Sequence, residues 1–194
     1  MSQRKNANRN EVRIIGGKWR GRKLRFAPHP DLRPTPGRTR ETLFNWLRGE
    51  LEGRACVDLF AGSGALGFEA LSQGAASVVF IDRSRACCSA IKANIELLQA
   101  QSQARVVTAD AVKYLAQQGL GDSVVFCDPP FRAPELVPSV LNTLNSVLNG
   151  SECWVYAEGA NLASLQQAAQ AHHWTVAKIT RAGDSHAVLL HSSG

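Results

Sequence analysis

The sequence predicts an α/β protein: a doubly wound sheet of seven strands whose last strand is antiparallel, preceded by a small N-terminal β-hairpin and helix. Three observations predict it. From residue 55 onward, short apolar runs of strand length alternate with segments of helical period. The first run, Ala55 to Phe60, feeds a glycine turn, Ala61-Gly62-Ser63-Gly64, and then a helical pattern carried by Leu66, Ala70 and Leu71. A later run, Val124 to Cys127, stops at Asp128-Pro129-Pro130-Phe131, where two prolines forbid further pairing. In open α/β sheets ligands bind outside such carboxyl ends.

The elements follow in order. Residues 1–11 form a polar, basic tail without the apolar core of a secretory signal, and are expected to be disordered. Arg13 to Phe26 has the pattern of a hairpin: apolar residues flank a glycine-punctuated turn, and Lys18, Arg20, Arg22, Lys23 and Arg25 interleave with Trp19. Asp31 to Gly37 is a proline-rich linker, so residues 12–37 make an extension and 38–194 the main domain. A helix is expected next, with Thr39 as its N-cap and Leu43, Phe44 and Leu47 on its apolar face.

The charge is uneven. The chain carries a net +6, yet residues 1–48 hold thirteen Lys/Arg against three Asp/Glu, and the rest holds nine against thirteen. The basic excess belongs wholly to the N-terminal quarter, which points to phosphates as partners. Arg13, Lys18, Trp19, Arg20, Arg22, Lys23, Arg25, Arg38 and Arg40 are the candidate nucleic-acid contacts. The alternative is a solvated basic turn with Trp19 packed on the domain, and for Arg38 and Arg40 a role in holding the linker.

A second strand, Ser77 to Ile81, ends at Asp82, eighteen residues past Gly64, where an acid can meet two ribose hydroxyls. A third, Ala104 to Thr108, leads to Asp110 and Ala111, where an acid can accept from an adenine amino group. Gly62-x-Gly64-x-x-Gly67 fits the dinucleotide spacing, so a dehydrogenase stays open on the glycines alone. Asp58 argues against it, because a carboxylate there suits an ammonium and repels a diphosphate. Beyond Phe131, a helix is expected over 134–148, a strand from Cys153 to Ala157, a helix over 162–171, and closing strands at 174–180 and 186–191. The five cysteines lack metal-ligand spacing and read as reduced thiols of a cytoplasmic protein. There is no apolar run of membrane-spanning length, and His172-His173 reads as a surface pair at a helix end.

Asp128-Pro-Pro-Phe resembles the [Asn/Asp]-Pro-Pro-[Tyr/Phe] motif of S-adenosylmethionine-dependent methyltransferases that modify amino nitrogens, and Asp58-Leu-Phe-Ala-Gly-Ser-Gly is similar to their cofactor loop. Together with Arg13-Ile-Ile-Gly-Gly-Lys-Trp-Arg-Gly-Arg-Lys-Leu, Arg33-Pro-Thr and Arg40-Glu-Thr-Leu-Phe-Asn-Trp-Leu, these motifs occur in this order in the RsmD family of bacterial methyltransferases of 16S ribosomal RNA. The resemblance covers roughly residues 12 to 191. It implies a Rossmann-like methyltransferase sheet and methyl transfer to the exocyclic N2 of one guanine, with the assembled or assembling 30S subunit as partner. It implies S-adenosylmethionine held by Asp58, Phe60, Ala61, Gly62, Ser63, Gly64, Asp82, Arg83, Asp110 and Ala111, and chemistry at Asp128, Pro129, Pro130 and Phe131. No metal is implied, and nothing in the pattern demands a dimer. Family members often carry Glu where this chain has Asp82; a carboxylate is kept. Other amino acceptors (DNA adenine or cytosine, a protein glutamine) and a non-catalytic RNA-binding module are the alternatives.

Overall fold

The computed structural model describes residues 10–26 and 35–192. The first nine residues, residues 27–34 and the last two lie outside them, and with them most of the expected tail and linker. Two short strands, β1 (Glu11–Arg13) and β2 (Lys23–Arg25), pair antiparallel across a loop that contains a 3-10 turn, Gly17–Trp19. They are followed by α1 (Gly37–Trp46), β3 (Ala55–Asp58), α2 (Ala65–Ser72), β4 (Ser77–Asp82), α3 (Arg85–Leu98) and β5 (Ala104–Thr108). The second half runs through α4 (Ala111–Leu115), β6 (Ser123–Cys127), α5 (Leu136–Val147), β7 (Cys153–Gly159), α6 (Leu162–Ala171), β8 (Thr175–Ala182) and β9 (Ser185–Ser192).

Strands β3 to β9 form one seven-stranded sheet in the order β5-β4-β3-β6-β7-β9-β8. Pairing is parallel from β5 through β7, and β9 runs antiparallel between β7 and β8. This is the doubly wound sheet with an antiparallel last strand that the alternation predicted. Chain order reverses between β3 and β6, which opens a crevice at their carboxyl ends. The central strands are apolar on both faces because helices cover both. Along β6, Val124 and Phe126 join a core under α1, α2, α3 and the hairpin, while Val125 and Cys127 join a second core under α4, α5 and α6.

Three local features differ from the sequence reading or go beyond it. First, α1 starts two residues before Thr39, with Pro36 at the N-cap, and Arg40 N donates to Pro36 O at 3.1 Å. Thr39 is buried inside the helix and its hydroxyl finds no partner among the described residues, so it is not the cap. Proline supplies a fixed φ just ahead of the helix, and that outweighs the side-chain preference of threonine. Second, α3 and α4 have no counterpart in the sequence reading. Cys87, Cys88, Ile91, Ile95 and Leu98 of α3 are buried at helical spacing, so the signal was there.

Third, the hairpin is sewn to the domain. Val12, Ile14, Leu24 and Phe26 belong to the first core. Gly17, at φ +70, lies so close to the end of α2 that a Cβ would stand 1.7 Å from Ser72 O. The N–H groups of Ile15 and Gly16 both donate to the Glu69 carboxylate of α2, at 2.9 and 2.7 Å. Arg40 donates Nη1 to the same carboxylate at 3.2 Å, in an ion pair whose side chains are 4% and 0% exposed. Its other nitrogens donate to Arg13 O at 3.0 Å and Thr35 O at 3.2 Å.

Candidate active site

The glycine loop sits at the carboxyl end of β3, and each glycine has a separate reason. Gly62 (φ +50) and Gly64 (φ +76) turn the chain through the left-handed region. Gly67 lies in α2 against β4, where a Cβ would meet Phe80 at 2.2 Å and Val78 at 2.9 Å. It lets the helix approach the sheet closely. Ala61 N donates to Ile81 O at 2.9 Å, tying the loop to the next strand. Ser63 is buried, and its Oγ accepts from Ala65 N at 3.3 Å. Phe60 is half-buried against the second core.

The strand-end acids surround this loop. Asp58 is 3% exposed, and its Oδ2 accepts from Gly67 N at 3.1 Å. Burial pushes its pKa up to about 7, against the lowering effect of that bond, and the Asp82 charge adds to the rise. Asp82 accepts from Gly62 N at 2.8 Å through one oxygen and from Ser84 N at 2.7 Å through the other. Asp110 caps α4, accepting from Lys113 N at 2.8 Å, and pairs with Arg83. Hydrogen bonds from Arg83 and from Lys113 N hold its pKa below the usual carboxylate range. Arg83 is exposed, and Ala111 is buried at the start of α4. The residues expected to hold a cofactor therefore converge, with Asp82 and Asp110 already engaged by the chain. Among the described residues no cation acts on Asp58, so a positively charged ligand group matches it.

Across the crevice, Asp128 follows β6 directly, and Pro129 is buried beneath it while Pro130 is exposed. Thr35 Oγ1 donates to Asp128 Oδ2 at 3.1 Å. Asp128 has a pKa raised well above the usual value, first by burial and then by the charges of Glu158 and Asp58, with the Thr35 bond pulling the other way. Phe131 is 48% exposed beside it. Glu158, on β7, was not singled out in the sequence. Cys127 pairs in register with Ala157, so Asp128 and Glu158 leave neighbouring strands on the same face. Glu158 is 5% exposed; Tyr156 Oη donates to one oxygen at 2.8 Å and Ser185 Oγ to the other. Desolvation, with the Glu158 charge next, pushes the Tyr156 phenol well up, so it stays a donor. The signal for Glu158 was legible: this strand also closes on an acid, as those ending at Asp58, Asp82 and Asp128 do.

The chain matches the family model described as "Conserved hypothetical protein 95" over residues 12–191. It is 45% identical over 161 residues to the ribosomal RNA small subunit methyltransferase D of Escherichia coli strain K12, covering 81% of this chain and 79% of that one. The chain belongs to this family. The protein of the same name from Haemophilus influenzae is 46% identical over 126 residues, 63% of this chain and 65% of that one. Among solved structures, the putative methyltransferase yhhF from E. coli superposes with a TM-score of 0.81 at 40% identity, covering 95% of this chain and 99% of that one. A magnesium protoporphyrin IX methyltransferase from Synechocystis with bound SAM shares the fold at 21% identity, with a TM-score of 0.59 over 79% of this chain and 77% of that one.

The family match begins within β1, so the hairpin lies inside it. The hairpin runs along α2 and α3: Arg25 N and O bond the Asn94 side chain of α3, and Lys18 Nζ donates at 2.8 Å to Gln103, just before β5. Its tip therefore sits by the amino ends of the strands, away from Asp128. Arg13, Lys18, Arg20, Arg22, Lys23, Arg25 and Arg38 are exposed. Glu11 pairs with Lys23 at 2.9 Å and Arg25 at 3.6 Å, and the Lys23 bond is the main cause holding its pKa down. Trp19 packs on the first core with Lys18 Nζ 4.5 Å from its ring centroid, the packing alternative rather than a free stacking ring. Arg40 corrects the sequence reading. It is 3% exposed with its guanidinium committed to Glu69, Arg13 O and Thr35 O, so it holds the linker from inside, where the buried Glu69 carboxylate offsets its charge. Among the described residues, no helix is long and apolar enough to cross a membrane.

Proposed function

We propose that this protein transfers the methyl group of S-adenosylmethionine to the exocyclic N2 of one guanine of 16S ribosomal RNA, acting as a cytoplasmic monomer on the assembled or assembling 30S subunit. Methyl transfer to ribosomal RNA is the activity named for its relatives in the family. The observation that carries the finer reading is that Asp128, beside the Pro-Pro turn, and Glu158 leave neighbouring strand ends on the same face, close enough for the Glu158 charge to raise the Asp128 pKa.

The bound cofactor supplies an electrophilic sulfonium methyl. The guanine amino group is a weak nucleophile because its lone pair is delocalised into the ring. The Asp128 carboxylate and the Pro129 carbonyl accept the two amino hydrogens, which favours a pyramidal nitrogen and aims its lone pair. The nitrogen becomes cationic on attack, so Asp128, with the Glu158 charge behind it, stabilises the transition state more than the ground state. Asp128, with its raised pKa, then takes the departing proton more readily than an ordinary aspartate. Phe131 is exposed enough to stack on a base turned out of its helix.

The carboxylate pair also supports guanine over other bases. Guanine presents its amino N–H beside a ring N–H, two adjacent donors for two acceptors. Adenine and cytosine present an amino N–H beside a ring nitrogen that is itself an acceptor, and a carboxylate facing it is unfavourable. The hairpin tip lies far from Asp128, so a substrate that touches both must be extended, which suits RNA in a large particle.

The test is methyl transfer from labelled S-adenosylmethionine to undermethylated 30S subunits, protein-free 16S ribosomal RNA and duplex DNA, followed by digestion to nucleosides. Label in N2-methylguanosine from the 30S sample is expected. Label in DNA alone, or in none of the three, overturns the reading.

A further inference from the structure

The catalytic loop is bonded to a residue that precedes the whole sheet. Thr35 Oγ1 donates to Asp128 Oδ2 at 3.1 Å across 93 positions of sequence. Thr35 is itself 7% exposed, and its carbonyl is held by Arg40 Nε at 3.2 Å. Arg40 is clamped by Glu69 of α2 and by Arg13 O of the hairpin. An unbroken set of hydrogen bonds thus runs from the hairpin and the helix after the glycine loop to the carboxylate beside the Pro-Pro turn.

We propose that Thr35 is a positioning residue for methyl transfer: anchored through Arg40, its hydroxyl fixes Oδ2 of Asp128 and leaves Oδ1 turned to the acceptor amine. The proposal rests on the methyltransferase reading above. Asp128 Oδ1 takes no hydrogen bond from any described residue, and a carboxylate with one oxygen tied has one orientation rather than several. The same bond bears on the charge state, opposing the upward push that burial and the Glu158 charge exert on the Asp128 pKa. Glu158 and Tyr156 of β7 and Asp58 of β3 face Asp128, Cys127 precedes it, and none of these offers a positive charge. The Thr35 hydroxyl favours the ionised form, which can accept amino hydrogens. Arg40, one turn into α1, acts only through the Thr35 carbonyl.

Thr35→Val keeps shape and removes the donor; Thr35→Ser restores it. In the methylation assay, Thr35→Val should lower kcat about tenfold, the worth of one hydrogen bond to a charged group, with KM for the cofactor unchanged. The acid limb of the kcat profile should move to higher pH, and Thr35→Ser should recover both. Glu158→Gln should move that limb the opposite way, to lower pH, by removing a like charge. Carbon-13 NMR titration of Asp128 in the free protein reads the same shift without any acceptor. An upward shift in Thr35→Val, reversed in Thr35→Ser, supports the proposal even if RNA proves not to be the acceptor. If wild type methylates RNA and Thr35→Val leaves both the profile and the NMR midpoint in place, the proposal is overturned. A uniform loss with lowered melting temperature in both Val and Ser variants would reduce Thr35 to a structural residue, and overturns it equally.

Discussion

On the β3–β4–β5 side of the crevice, the residues that shape the site lie close to one another or to a strand end. Asp58, Gly62, Gly64 and Gly67 fall within ten positions, and Asp82 bonds Gly62 N directly. On the β6–β7 side, Asp128 is bonded by Thr35 from before the sheet, flanked by Glu158 from the next strand, and tied through Arg40 to the hairpin. A ligand site assembled from one loop survives as a motif. One assembled from separate elements depends on how the whole chain packs, and here it ties the hairpin to Asp128. The two sides should therefore fail differently when broken.

The largest effect is expected from Arg40→Met. Removing one member of a buried pair leaves Glu69 uncompensated, at a cost of about 3–5 kcal/mol, measurable by urea denaturation. Adding Glu69→Leu should recover little, because the Ile15 and Gly16 N–H groups then lose their acceptor as well.

Asp58→Asn acts on the other side with the opposite sign. The folded pKa of Asp58 is raised from 3.8 to about 7, so the folded protein binds the extra proton and loses stability as pH rises through that window. The variant should be more stable than wild type at pH 8, by at most about 4 kcal/mol at 1.36 kcal/mol per unit, and the gain should vanish below about pH 4. Cofactor affinity, read by calorimetry, should rise with pH through about 7 in wild type and stay flat in the variant. A wild-type affinity independent of pH would separate Asp58 from the ligand's ammonium.

Asp128→Ala should lower kcat on the order of 10²–10³ while cofactor affinity holds. Near-normal turnover would remove Asp128 from the chemistry. Gly67→Ala sharpens the comparison from the loop side. Its Cβ would meet the Phe80 ring at 2.2 Å, so α2 must shift, at about 1–3 kcal/mol, visible as a lower melting temperature. Because Gly67 N also bonds Asp58, cofactor affinity should fall with it, with kcat at saturation little changed.

The fold was legible because its signals are local. Apolar runs mark strands buried on both faces, and the Pro-Pro pair marks where β6 must stop. Asp58, Gly62, Gly64, Asp82 and Asp128 could be named for the same reason, since each sits at the end of a strand pattern. Arg40 and Trp19 could not be placed. In sequence, a buried arginine and an RNA-facing one look alike, and only the presence of Glu69, twenty-nine positions on, distinguishes them. Thr39 satisfies the local preference for a cap, but Pro36 sets the start of the helix.

By itself the sequence determined the α/β alternation, the strand-end acids, the glycine turn and the charge gathered in the first quarter of the chain. These follow from residue type and spacing alone. The tertiary structure decided which acids share a face, which arginine is clamped inside, and what holds Asp128. Those depend on distances between elements remote in the chain, and burial turns such distances into pKa shifts and fixed orientations.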